Sequence, residues 1–312
     1  MKKLSPEWQG MLAACTASTI FGFSFMFSRL ALQQATPMVM LSWRFFIAML
    51  ALNLMLLAGA LGLPGCSGFR LRLAQVTARE WGLLLVMGLC EPVLYFIGES
   101  VGVKLTNASF SSVMIAVIPI VSVAAAALLL RERPTVAQVI FSLLSIVGVV
   151  VISVVGAGQG TVTLLGLLGL VLAVVAGSLY TILSRRLSRY TPFERTYVMF
   201  ALGLIWFLAT ALLQGNRAAD FLAPWSRPDF GLAVLYLGCL SSVLAYYLMN
   251  FGLTVLSVAR YTVFINWTTV VSIVAGVVFL HESFTWVQVA GSVLILLGLW
   301  GVNMFAPQPS IK

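Results

Sequence analysis

The sequence predicts an all-α membrane protein of ten transmembrane helices, arranged as two inverted five-helix repeats with both termini cytoplasmic. Three observations carry this. First, 61% of the 312 residues are hydrophobic and only 9% charged, whereas a soluble domain carries roughly 45–50% apolar and about 25% charged residues. Second, the apolar residues fall in continuous runs rather than alternating, which selects helices over a barrel. Third, the second half of the chain repeats features of the first at a nearly constant offset. The mean hydropathy of +1.06 excludes a soluble enzyme, a nucleic-acid-binding domain and a secreted disulfide scaffold. Disorder and collagen are excluded by only 26 Gly and 11 Pro in so apolar a chain.

A helix needs about 20 apolar residues to cross a hydrocarbon core of about 30 Å. The first such run, 10–32, follows Lys2 and Lys3 and superficially resembles a signal peptide. It continues past the usual length with no small-x-small cleavage site, so it reads as a span. The others are 37–58, 79–102, 106–130, 134–155, 163–187, 192–213, 229–252, 255–280 and 284–305. No long polar segment remains for an appended soluble domain.

The net charge of +9 orients these spans by the positive-inside rule. With the N-terminus inside, Lys2, Lys3, Arg70, Arg72, Arg79, Arg131, Arg133, Arg185, Arg186, Arg189, Arg195 and Lys312 fall on the cytoplasmic side. The opposite side receives Arg29, Arg44, Lys104, Arg217 and Arg227, and Arg260 lies near the inner end of span nine. Cys15, Cys66, Cys90 and Cys239 are far apart and form no CxxC, so neither a metal site nor a disulfide framework is expected.

The Gly-rich connector Gly156–Gly160 divides the spans evenly, giving expected repeats at 1–156 and 161–312. An offset of 150 pairs Glu132 with Glu282, Thr135 with Thr285, Gln138 with Gln288, Ser142 with Ser292 and Gly148 with Gly298. Near the start of each half the best offset is 155, pairing Gly22 with Gly177, Thr36 with Thr191 and Pro37 with Pro192. The change of five fits a longer loop after span two than after span seven. Five is odd, so the second copy must insert upside down. Inverted repeats are the construction of secondary transporters, with a midplane site and alternating access.

Charge at depth is expensive and usually faces a cavity. Glu91 lies near the middle of span three, followed by Pro92, and shares one helix face with Tyr95 and Glu99 at i, i+4, i+8. A carboxylate there could hold a cationic amine or take up a coupling proton; alternatively it is bonded to a neighbouring Ser or Asn and only packs. Arg44 and Glu99 both fall in the outer third, where they could pair or Arg44 could snorkel to the interface; structural anchoring is the expectation for Arg44. Arg29 and Lys104 read as interface anchors. The second half offers amides, hydroxyls and aromatics instead: Tyr180 in span six, Tyr246, Tyr247 and Asn250 in span eight, Asn266 and Trp267 in span nine. Such a set suits an amine through cation–π attraction, although each aromatic alone could be packing or an interface belt. Ser18 and Gly22 of span one and Ser111 of span four complete the candidate set. Gly98-x-x-x-Gly102, Ala124–Ala127 and Ala275-Gly276 suit close helix packing, and Gly22 and Gly177 suit helix crossings or, alternatively, a flexible point for rocking, crossings being the expectation.

Taken together, Phe21-Gly22, Pro37 followed by Arg44-Phe45, Pro119, Glu132 and Glu282 make the whole chain resemble the EamA family of the drug/metabolite transporter superfamily. The resemblance implies a bacterial inner-membrane carrier, usually an exporter of amino acids, other metabolites or drugs. It also implies a central cavity lined by spans one, three, four, six, eight and nine, with five and ten to the side. Phe21 stands where a Trp is common, and Thr269 stands opposite Pro119.

The expected partners are a small-molecule substrate, the lipid bilayer and protons as a candidate coupling ion. No nucleic acid, cofactor or metal is expected, and the chain is expected to be a monomer or weak dimer. The rival readings are a membrane-embedded enzyme or a channel acting on a lipid or small metabolite. Against the first, the single His281 rules out HExxH, and neither GxSxG nor GxxxxGK[ST] is present. Against the second, nothing resembles a selectivity filter.

Overall fold

Proline and threonine set where the helices begin. The computed structural model describes residues 5–63, 68–71, 76–118, 120–122, 125, 135–158, 162–256, 258–282 and 285–305, and among these there is no strand. Helix α1 spans Pro6–Leu32, with Ser5 as its N-cap. Helix α2, Pro37–Ala60, starts at Thr36, whose hydroxyl accepts from Val39 N at 3.4 Å. Helix α7, Pro192–Leu213, starts at the matched Thr191, which forms a capping box with Glu194. In both, Pro occupies the first helical position, where its missing N–H costs nothing. Gly62 and Gly215, both at positive φ, end the same two helices, the left-handed geometry glycine adopts without a Cβ penalty.

Helix α3 runs Ala78–Leu105 and is not uniform. Its outer parts are α-helical, but Leu89–Leu94 is a wide π segment. Glu91 there has extended backbone angles (φ −142°, ψ 115°), the region forced on a residue that precedes proline. Helix α4 begins at Ala108–Ile115. Next come α5 (Val136–Gly158) and α6 (Leu164–Arg186). Helix α8 covers Pro228–Val255 and carries its own π segment, Tyr236–Ala245. Helices α9 (Val258–Phe279) and α10 (Trp286–Met304) follow. A short helix, Ala218–Leu222, and a 3-10 turn, Ala223–Ser226, lie in the connection before α8. Among the described residues, six helices (α1, α2, α3, α6, α7 and α8) are long and apolar enough to cross a membrane; α4, α5, α9 and α10 carry shorter apolar stretches.

Packing repeats across the two offsets. A Cβ on Gly88 of α3 would lie 2.9 Å from Leu202 of α7 and 3.4 Å from Met199. On Gly238 of α8 it would lie 2.6 Å from Ile47 of α2 and 3.0 Å from the Arg44 carbonyl. Gly238 is Gly88 moved by 150, and Leu202 and Met199 are Ile47 and Arg44 moved by 155. Helices α5 and α10 pack on each other the same way: Gly148 would meet the Gly291 carbonyl at 2.6 Å and Gly298 the Phe141 carbonyl at 2.5 Å. Between them Ser145 Oγ donates to the carbonyl of its own counterpart, Ile295, at 3.0 Å. Gly22 meets Val271 of α9, and Gly177 meets Ile118 of α4, so both matched glycines sit at helix crossings as expected. Gly98 and Gly102 pack on Gly169 and Leu170 of α6, placing that motif within the bundle.

Loop contacts sort the helix ends into two sets. At one, Arg29 donates to the Val103 and Lys104 carbonyls at 2.6 and 2.9 Å, and Glu282 accepts from Ala108 N, Ser109 N and Ser109 Oγ at 2.7–3.0 Å. At the other, Arg189 pairs with Glu80 and Phe69 packs on Phe193.

The structure corrects several sequence expectations. Arg195 is no loop charge: it is 0% exposed, donating to Ser184 O, Ser184 Oγ and Asn250 O at 2.8–3.2 Å. Those acceptors let a guanidinium one turn into α7 fold inward instead of reaching the loop. Helix α5 extends to Gly158, so the Gly156–Gly160 connector begins as helix. Lys2, Lys3, Cys66, Arg72, Pro119, Ala124, Ala126, Ala127, Arg131, Glu132, Arg133 and Lys312 lie outside the described residues, as do the side chains of Arg185, Arg260, Asn266 and Gln288.

Candidate transport site

The π segment and Pro92 swing Glu91 out of the regular helical face, and α3 then resumes at Tyr95. The result is a partly open cavity of about 80 Å³, room for several waters at about 10–15 Å³ each. Its walls come from α1, α3, α4, α6, α8 and α9, with Arg44 supplied by α2. The α5–α10 pair stands aside.

Five of the sequence-predicted residues line the cavity: Ser18, Glu91, Tyr95, Glu99 and Tyr246. Glu91 is 5% exposed and Glu99 2%. Tyr246 donates its hydroxyl to Glu91 Oε1, and its ring is held edge-on by Phe21 at 5.1 Å and Phe200 at 5.4 Å.

Arg44 is anchored inside the bundle by α8. Neither snorkelling nor an ion pair describes it: it is 1% exposed, and no carboxylate of a described residue comes within 4 Å of its guanidinium. Nε donates to Ser242 Oγ at 2.9 Å and Nη2 to Ser241 Oγ at 3.1 Å. Its Cζ lies 4.1 Å from the Phe96 ring centroid, a cation–π contact. Nη1 has no hydrogen-bond partner, and neither has Glu99 Oε2. Arg44 starts seven residues into α2, deep enough for α8 to cover it, and the Gly238 crossing brings that helix close.

Other candidates stand behind the wall. Asn250 is a structural hub: Oδ1 accepts from Tyr180 at 3.2 Å and Ser184 at 3.0 Å, and Nδ2 donates to Thr196 at 3.1 Å. Ser111 is buried against Thr106 at 3.1 Å. Gly22 holds the α1–α9 crossing. Trp267 does not join the cavity; it is 46% exposed and donates Nε1 to Thr19 at 2.9 Å, facing outward. Ser24, Thr181, Met249 and Thr268 also line the cavity. Small hydroxyl and thioether side chains in apolar runs carry no signal of their own.

A set of membrane-length apolar helices around a buried polar cavity is the build of a multi-pass membrane transporter. Residues 8–154 and 164–304 each match the model of the EamA-like transporter family, and the chain belongs to that family. It is 34% identical over 298 residues to the uncharacterized transporter YcxC of Bacillus subtilis (strain 168), covering 94% of this chain and 92% of that one. It is 30% identical over 229 residues to a probable terminal-alkyne amino-acid exporter of Streptantibioticus cattleyicolor, covering 72% of this chain and 74% of that one. A solved crystal structure shares the fold, with a TM-score of 0.67 at 20% identity over 95% of this chain and 97% of the other.

Proposed function

We propose that this protein is a secondary active transporter of a bacterial inner membrane that exports amino acids or other small amine or aromatic metabolites, unchanged, by alternating access. In this reading ten helices span the bilayer as two inverted repeats, 1–156 and 161–312, with both termini cytoplasmic and the chain acting as a monomer or weak dimer. The reciprocal glycine crossings at offsets of 150 and 155 support the repeats. Orientation rests on the distribution of Lys and Arg. The exporter name of the Streptantibioticus cattleyicolor relative supports the direction and substrate class.

The observation that carries the reading is Glu91, a carboxyl deep in the bundle at a break in α3, facing a cavity and tied to Tyr246. Intramembrane carboxyls of this kind serve as proton relays or cation sites. Glu91 alternately holds a proton and releases it as substrate binds, which couples export to the proton gradient. The test is transport by Glu91→Gln in proteoliposomes across a pH gradient. The expected outcome is a loss of at least about tenfold, or about 1.4 kcal/mol, together with loss of pH dependence. An unchanged rate with unchanged pH dependence removes Glu91 from the mechanism.

A further inference from the structure

We propose that the cavity selects zwitterions, with Arg44 receiving the carboxylate of an α-amino acid and Glu99 its ammonium, so that simple amines are poor ligands. This rests on the transport reading above and narrows its substrate class.

The guanidinium of Arg44 is held in place rather than neutralised. Ser242 and Ser241 fix Nε and Nη2 with neutral oxygens, and the Phe96 face covers the plane. A buried cation without an anion is costly, and removing it from water is repaid only when a counter-charge with good geometry arrives. Nη1 is the donor left over, on a residue that lines the cavity. A planar guanidinium with one edge preset is suited to a carboxylate.

Glu99 supplies the complementary half. It lies one turn beyond Phe96 on α3, the ring under Arg44, so cation and carboxyl approach the cavity from neighbouring positions. They do not meet within 4 Å, and Glu99 Oε2 is buried without a partner. Two opposite groups, each with a buried atom lacking a partner and kept apart, are bridged by a molecule carrying both charges on groups attached to one carbon. A lone amine would satisfy Glu99 but leave Arg44 uncompensated. Glu91, engaged by Tyr246, remains available for the proton.

The test uses purified full-length protein in detergent, with thermal stabilisation titrated by the proteinogenic L-amino acids, their decarboxylated amines and their deaminated acids. At least one amino acid is expected to stabilise, with its matched amine and acid each at least about tenfold weaker, the scale of one charge-assisted hydrogen bond. Arg44→Gln is expected to lose the preference for amino acid over amine, and Glu99→Gln the preference over the deaminated acid. If Arg44→Gln does not fold, the wild-type panel still decides. An amine that binds as well as its parent amino acid overturns the inference, as does a panel in which no amino acid stabilises. Failure of the transport reading shows separately: no compound crosses the proteoliposome membrane even where the amino acid outbinds its amine.

Discussion

Asn250 ties together four groups in a low-dielectric interior: Tyr180, Ser184, Thr196 and, through its backbone carbonyl, Arg195. Removing one partner of a buried polar network costs about 1–3 kcal/mol, because the remaining groups keep their desolvation penalty. Asn250→Ala is therefore expected to lower the melting temperature, measurably in detergent, while the cavity residues stay in place; a variant melting with the wild type would show the network to be dispensable. An amide at depth is visible in the sequence, but its direction is not. Asn250 reads equally as a substrate contact until Arg195 is seen folded against it, and Arg195 reads as a topology charge until its three acceptors are seen.

At the scale of the helix, glycine decides which faces approach. Gly88 and Gly238 stand at positions of α3 and α8 related by the offset of 150, Gly88 just before the π segment of its helix and Gly238 near the start of its own, and π segments concentrate at functional sites. The two differ in what a methyl group would meet. At Gly88 the first obstacle is the mobile end of Leu202, whereas at Gly238 it is the branched stem of Ile47 with the Arg44 carbonyl behind it. Overpacking a tight contact costs about 1–3 kcal/mol. Gly238→Ala is expected at the upper part of that range and Gly88→Ala at or below the lower part, read as relative melting temperatures. Equal losses would place the strain elsewhere. Gly238→Ala should also weaken ligand binding, because Ile47 lies within a turn of Arg44. Helix ends were legible from Thr36-Pro37 and Thr191-Pro192, since caps are local chemistry. The π segments were not, because they depend on what packs beside them.

Across the whole molecule, two sets of loops define opposite ends. Residues near Arg29, Lys104, Ala108 and Glu282 gather at one, and Phe69, Glu80, Arg189 and Phe193 at the other. With the four native cysteines replaced, a cysteine at Gln34 is expected to react with a membrane-impermeant maleimide in intact cells. A cysteine at Ser188 is expected to react only after permeabilisation. The reverse pattern would invert the proposed orientation.

The sequence by itself determined that the chain lives in lipid, where its apolar runs lie, and that its halves share offsets of 150 and 155, because hydropathy, capping and repetition are written along the chain. Scarcity of charge also brought Glu91, Glu99 and Arg44 to notice. Only the tertiary structure decided their surroundings. Whether a deep charge is neutralised, left open to a cavity or buried in a structural network depends on the atoms that other helices bring within 3 Å. Arg44 finds two serines some two hundred residues away, and no local pattern encodes that meeting.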